Sequence, residues 1–305
     1  MKRLDILGLA VAAIFCAGTA HAEDLTGTLK SIKDSGSITI GYREYSLPFS
    51  YLDDNQKPIG FAIDICYKVV DAVKTELKLD KLEVKLQPVT SSNRIPLLAN
   101  GTIDLECGST TNNAERQKQI AFTNTHFLTA SRYVFKKSSG LKSIDDLKGK
   151  SVVSTAGTTN IKQLTEANAA RNLGVNIIPA KDNAEAFLMV ETDRAVAFVM
   201  DDILLAGLVA GSKDPSIYAI SKDAFSTPEP YGIMLRRDDP AFKKLVDGVT
   251  AGIYTSGEGQ KLYDKWFTST IPPKGLNLNT PISSELKAEF AKPSDSPDPA
   301  SYKAM

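Results

Sequence analysis

Apolar and polar positions along the chain switch repeatedly between a strand-like period of two and a helix-like spacing of three and four. "SITIGYR" (37–43) reads as a strand, "FAIDICYKVVDAVKTELK" (61–78) as an amphipathic helix and "LEVKLQPV" (82–89) as a second strand. A short helix, "SNRIPLLANG", closed by Gly101, and the strand "TIDLECG" (102–108) complete the unit. The same rhythm returns in "SVVST", the helix "NIKQLTEANAARN", "VNIIPA", the helix "AEAFLMVETD" and the strand "RAVAFVMDD". Two β-α-β-α-β units predict an α/β protein with two parallel sheets, each flanked by helices.

Between the units runs a long apolar extended stretch, "IAFTNTHFLTASRYVFKK", and after the second unit "FSTPEPYGIMLRRDD" is extended again before a helix ending near "GQKLYDKWF". Two crossings on either side of the second unit predict that the chain leaves one lobe, builds the other and returns through a two-strand hinge. The expected divisions are 23–130 with 226–290 for a discontinuous first lobe, and 131–225 for the second. A length of 305 residues suits two such lobes better than one core. Clefts between α/β lobes favour small ligands, and closure about the hinge is the expected motion. Residues 291–305, "AKPSDSPDPASYKAM", are rich in Pro, Ser and Asp and read as a flexible tail.

Residues 1–22 have the form of a cleaved secretory signal: Lys2 and Arg3, an apolar run from Ile6 to Ala17, then Ala20-His21-Ala22. The run is short of the roughly 20 residues a membrane span needs. Cys16 is a poor lipid-anchor candidate because bulky Phe15 precedes it. The mature chain is expected to start at Glu23 and to be exported to the periplasm. It keeps Cys66 and Cys107, an even pair in an oxidising compartment. One lies near a helix start and the other at a strand end, places that share an edge of a parallel sheet, so a disulfide is expected; two buried thiols are the alternative. Only His126 survives the loss of His21, which removes a histidine metal cluster, and no CxxC, nucleophile-elbow, P-loop or GxGxxG pattern is present. His126 reads as a polar residue near the lobe crossing. No metal and no cofactor are expected.

Charge narrows the partner. The 36 basic and 36 acidic residues cancel, so no basic surface argues for nucleic acid or an anionic membrane. In open α/β sheets ligands sit outside the carboxyl ends of the strands. Those positions hold Arg43, then Ser91 and Arg94, then Gly108 to Arg116 in the first unit; Gly157 to Asn160, Asn183, Asp201 and Asp202 follow in the second. Three arginines, many hydroxyls and a small acidic group thus face one predicted cleft. Ser91 also suits the N-cap of the helix it precedes, and Asp202 suits a cap better than a ligand contact. Arg94 sits in a first helical turn, where the helix dipole disfavours a cation.

The pieces "GFAIDICYKVV", "SSNRIPLLANGTIDLECGSTTNNAERQ", "DLKGKSVVSTAGTT", "AVAFVMDD" and "YGIMLRRDDPAFKKL" strongly resemble the periplasmic solute-binding proteins for polar amino acids, most closely the glutamate/aspartate-binding branch of family 3. The resemblance spans about residues 37 to 273 and implies the two-lobed type II periplasmic binding fold. It departs at Ala62, where the family's signature helix usually has an acid, and at Asn183, where close relatives have a histidine. By resemblance Arg116 holds the ligand's α-carboxylate, helped by Thr111 and the amide and hydroxyl of Thr159. Asp201, with Ser109 and Thr111, takes the α-ammonium. Arg43, Ser91 and Arg94, joined by Asn183, take the side-chain carboxylate. Arg43, Arg94 and Arg116 against Asp201 leave a side-chain charge of plus two, an excess over the minus one of a dicarboxylic amino acid. The implied function is non-enzymatic: a monomer that captures L-glutamate and L-aspartate and presents them to the membrane permease of an ABC transporter. The alternatives are a binder of other polar amino acids, a protein that presents its ligand to a sensor, and a dehydratase-like enzyme on the same fold.

Overall fold

The computed structural model describes residues 25–273 and 275–302. The signal-peptide reading of 1–22 lies outside the described residues.

Each repeated unit forms a five-stranded sheet. The first runs Glu83–Pro88, Ser37–Tyr42, Leu105–Cys107, Met234–Arg236 and Ile120–Phe122; the second runs Asn176–Ala180, Ser151–Thr155, Ala197–Asp201, Ser131–Lys136 and Tyr218–Ile220. In each, the first three strands are parallel, and the fourth is antiparallel to both its neighbours. Helix Phe61–Glu76 buries Phe61, Ile65, Cys66, Val69, Val70 and Val73 against the first sheet, the stripe its spacing predicted. Ala62 is buried as well, so the position where relatives carry an acid lies on the packed side of the helix.

The long apolar stretch differs from its reading as one extended crossing. It breaks into Ile120–Phe122 on the edge of the first sheet, Phe127–Thr129 between the sheets, and Ser131–Lys136 in the second sheet. The returning segment divides similarly into Glu229–Tyr231 and Met234–Arg236. An apolar run buried on both faces reads alike whether it forms one strand or three. Phe127–Thr129 pairs antiparallel with Glu229–Tyr231, with Phe127 opposite Tyr231 and Thr129 opposite Glu229. Beneath this two-strand link Phe49 lies within 5.0 Å of Phe127, 5.3 Å of Tyr231 and 5.5 Å of Phe267, ring centre to ring centre. Such edge-to-face packing makes the base of the link an aromatic core. A separate core around Tyr133, Leu147, Val152, Leu164 and Val199 covers one face of the second sheet, and Val153, Phe187 and Phe198 on the other face join the main core.

The disulfide is present between Cys66 and Cys107. It ties the long helix to the strand end from which Gly108 to Arg116 emerge.

Where composition suggested a flexible tail, the described part of 291–305 is docked. Helix Ser284–Ala291 stacks Phe290 on Tyr254 at 4.6 Å and returns the chain to helix Pro240–Thr255. From there the Asp295 carbonyl accepts from Asn112 Nδ2 at 2.9 Å and Gln117 Nε2 at 3.0 Å, Asp295 pairs with Lys243 at 2.8 Å, and the Tyr302 and Thr125 hydroxyls meet at 2.8 Å. These polar groups find partners on the folded body, so low hydrophobicity did not leave the segment loose.

Candidate functional site

All nine residues expected to bind the ligand line one cavity: Arg43, Ser91, Arg94, Ser109, Thr111, Arg116, Thr159, Asn183 and Asp201. The chain puts them there by a single rule. Each follows or ends a parallel strand: Arg43 after Ser37–Tyr42, Ser91 and Arg94 after Glu83–Pro88, and Ser109 to Arg116 after Leu105–Cys107. The second lobe adds Thr159 after Ser151–Thr155, Asn183 after Asn176–Ala180, and Asp201 at the end of Ala197–Asp201.

Local capping fixes several of these groups. Asn113 accepts from the Arg116 amide at 2.9 Å and starts helix Ala114–Gln117. Thr158 caps helix Thr159–Ala170, accepting from the Ile161 amide at 3.3 Å and donating to the Thr155 carbonyl at 2.7 Å. That leaves Thr159 at a helix N-terminus facing the cavity, a position that favours an anion. Ser91 is not the cap of the next helix: Asn93 and Thr90 exchange hydrogen bonds of 2.8 and 3.2 Å, and Arg94 begins helix Arg94–Ala99. Asp202 accepts from Thr129 Oγ1 at 2.7 Å and from the Ile203 amide at 2.8 Å, which ties the inter-lobe link to helix Asp202–Gly211.

The three arginines have different surroundings. Arg116 donates to the Thr111 carbonyl at 2.8 Å and, across the cleft, to the Gly157 carbonyl at 3.3 Å. Arg94 donates to the Thr110 hydroxyl, which in turn donates to Glu106 Oε2 at 2.7 Å; Arg94 also lies 3.8 Å from Glu106 Oε1. Arg43 is held only by its backbone, through Ser50 Oγ at 2.8 and 3.1 Å. Its side chain, in a residue only 4% exposed, has no hydrogen-bond or ion-pair partner among the described residues. Burial, then repulsion from Arg94, pushes Arg43 down to about 10 and Arg116 down to about 9. Arg94 is lowered by burial and partly restored by Glu106.

Glu106 corrects the charge balance. It is a fully buried strand residue to which the sequence reading gave no role. Three guanidinium groups against two carboxylates, Asp201 and Glu106, leave a net plus one in place of plus two. Glu106 also explains how a cation is tolerated in the first turn of helix Arg94–Ala99, since its carboxylate offsets the unfavourable dipole.

Asp201 accepts from Asn160 Nδ2 at 2.8 Å and from the Tyr231 hydroxyl. Burial raises its pKa, and these two hydrogen bonds oppose the rise. Asn183 Oδ1 accepts from Thr155 Oγ1 at 2.8 Å while its Nδ2 donates to the Tyr45 carbonyl at 3.0 Å, a contact between the lobes. Glu229 accepts from Gln163 Nε2 at 3.0 Å on both oxygens, and burial pushes it up to about 7. Sequence reasoning missed the roles of Tyr231, Gln163, Glu229 and Tyr45, because pairing across a cleft leaves no local signal. Asn160 and Thr158 lay within the inspected turn but had no assigned role. His126 is no part of the cavity lining: it is buried among the rings of Phe49, Phe61 and Tyr231. Burial pushes it down to about 3.

Two α/β lobes joined by paired strands, with a small charged cavity between the carboxyl ends of both sheets, define a binding protein of the two-lobed type II class. Residues 38–269 match the bacterial extracellular solute-binding proteins, family 3, and the chain belongs to that family. The L-glutamate/L-aspartate-binding protein of Pseudomonas aeruginosa is 52% identical over 292 residues, covering 95% of this chain and 96% of that protein. The glutamate/aspartate import solute-binding protein of Salmonella typhimurium is 50% identical over 283 residues, covering 92% of this chain and 93% of that protein. Among solved structures, a mutant of ArgBP from T. maritima matches with a TM-score of 0.70 at 27% identity, covering 78% of this chain and 98% of that one.

Proposed function

We propose that this protein captures L-glutamate and L-aspartate in the periplasm as a monomer, by closing its two lobes around them, and delivers them to the membrane permease of an ABC transporter. The observation that carries the reading is Arg43. A buried guanidinium without a partner costs several kcal/mol, and a carboxylate placed on it removes that cost. Beside it Arg94 is already balanced by Glu106. The site's net plus one then meets a ligand of net minus one, so the filled cavity is neutral. The names of the two relatives given above, at about half identity along nearly the whole chain, agree with an acidic amino acid.

The lobes that close are 23–130 with 226–290, and 131–225. In the closed complex Arg116 forks onto the α-carboxylate with Thr111 and the Thr159 amide and hydroxyl. The α-ammonium takes the acceptor positions of Asp201 that Asn160 and Tyr231 leave free, with Ser109 and Thr111. Arg43, Ser91 and Arg94 hold the distal carboxylate. Asn183 contributes through its bridge between Thr155 and Tyr45 rather than by a charge. Since these groups come from both lobes, a ligand lacking either carboxylate satisfies only part of them, and selectivity follows from closure.

The test is calorimetric titration of unfolded and refolded, ligand-free protein against the common amino acids. Glutamate and aspartate are expected to bind far more tightly than glutamine and asparagine. Equal affinity for the acids and their amides would overturn the proposal in favour of a general binder of polar amino acids.

A further inference from the structure

We infer that Gly207 is a positioning residue for ligand capture. It is the bare spot on the second lobe where the Tyr45–Leu47 turn of the first lobe seats when the cleft closes. The inference rests on the proposed closure of two lobes around an amino acid, and adds where that closure is limited.

Gly207 lies in helix Asp202–Gly211, three residues beyond Leu204, which lines the ligand cavity; Gly207 itself does not line it. A Cβ at this position would stand 2.8 Å from Leu47 Cδ2 and 2.9 Å from the Leu47 carbonyl oxygen. The leucine side chain could turn away, but the carbonyl could not. Its turn is built into the first lobe: Tyr45 and Ser46 pair with Tyr51 and Ser50, the Phe49 amide donates to the Ser46 carbonyl at 2.8 Å, and the Phe61 amide donates to the Pro48 carbonyl at 2.9 Å. A methyl group on Gly207 must therefore push the lobes apart.

Nothing else asks for glycine there. The backbone at 207 is ordinary helix, without the positive φ that favours glycine. Alanine is the better helix former by about 1 kcal/mol. Beside this contact the Asn183 amide donates to the Tyr45 carbonyl at 3.0 Å, so the same turn is both seated on Gly207 and bonded to the second lobe. The cleft's other close approach, Gly157, would put a Cβ 2.8 Å from the Ser91 carbonyl oxygen, but its φ of +77° and its place beside the ligand mix two effects. Gly207 separates closure from contact with the ligand.

The experiment compares Gly207→Ala and Gly207→Val with Gly248→Ala, a helix glycine in the first lobe whose added Cβ would meet nothing within 4 Å. Glutamate and aspartate are titrated calorimetrically into refolded protein. The radius of gyration is measured by X-ray scattering with and without saturating glutamate, and Tm is measured without ligand. Gly207→Ala is expected to weaken both ligands by the same factor, roughly tenfold to a hundredfold, as for an overpacked contact. Gly207→Val is expected to weaken them further. Both variants should contract less on saturation than the wild type, with ligand-free Tm of Gly207→Ala at or above the wild-type value, as for Gly248→Ala. Wild-type affinity and contraction in Gly207→Ala would overturn the inference alone, as would a lowered ligand-free Tm, which places the clash inside the resting fold. A wild type that neither binds glutamate nor contracts would overturn the proposed function and this inference together.

Discussion

Replacing Arg43 by Met tests the acidic specificity where the structure makes its sharpest statement. In the closed cleft the guanidinium is buried, and burial with repulsion from Arg94 pushes it down to about 10. The ion stays charged at neutral pH, so closing the lobes over it is favourable only with an anion beside it. Met keeps the apolar stem and removes the charge. The ligand-free variant, whose open cleft lets water reach position 43, should therefore keep its stability to within about 1 kcal/mol. Binding should change. The ligand's distal carboxylate loses its unshared cation, and glutamate affinity should fall by roughly 2 to 5 kcal/mol while glutamine, which needs no cation, loses much less. Arg94→Met is the contrasting case. It strands buried Glu106, and breaking such a pair costs about 3 to 5 kcal/mol of stability whatever it does to binding. Urea denaturation of refolded protein and calorimetry with glutamate, aspartate and glutamine read both quantities. A destabilised Arg43→Met protein that loses glutamate and glutamine equally would refute the reasoning and make Arg43 scaffold.

Three further outcomes are expected. Arg116→Lys keeps the charge but loses the planar fork that spans the Thr111 and Gly157 carbonyls, so it should weaken every amino acid ligand by a similar factor in calorimetry. Removing the disulfide with Cys66→Ala and Cys107→Ala together opens a loop spanning 41 residues; urea denaturation should show a loss of about 2 to 4 kcal/mol by the chain-entropy argument. His126 is held at about 3 against an ordinary value near 6.5, so the unfolded chain takes up the proton first and stability falls as pH drops through that window. By pH 4.5 the loss from this residue should be about 3 kcal/mol. His126→Phe, placed among the rings of Phe49, Phe61 and Tyr231, should show a flatter decline in denaturation at pH 7 and 4.5.

By itself the sequence determined the repeated strand–helix order and, through it, which residues follow each strand. Periodicity is a local property, and the ends of parallel strands lie on one side of a sheet by construction. That is why Arg43, Ser91, Arg94, Ser109, Thr111, Arg116, Thr159, Asn183 and Asp201 could all be chosen without coordinates and still line one cavity. The resemblance to known binding proteins supplied their roles. Tertiary structure alone decided the rest. It divided one apolar crossing among three strands, because burial on both faces erases the alternation that would mark the breaks. It placed Glu106 against Arg94 and lowered the site's charge by one, since two residues twelve apart in sequence meet only when the strands on either side of Ser37–Tyr42 are aligned at their ends. It turned Asn183, Tyr231 and Gln163 toward partners on the opposing lobe, at contacts no local pattern encodes. It also set Gly207 under Leu47, where the absence of a side chain matters only because a distant turn arrives there. Spacing along the chain fixes which groups can face a cleft, whereas their charge partners and the limit of closure depend on how distant parts of the chain meet across it.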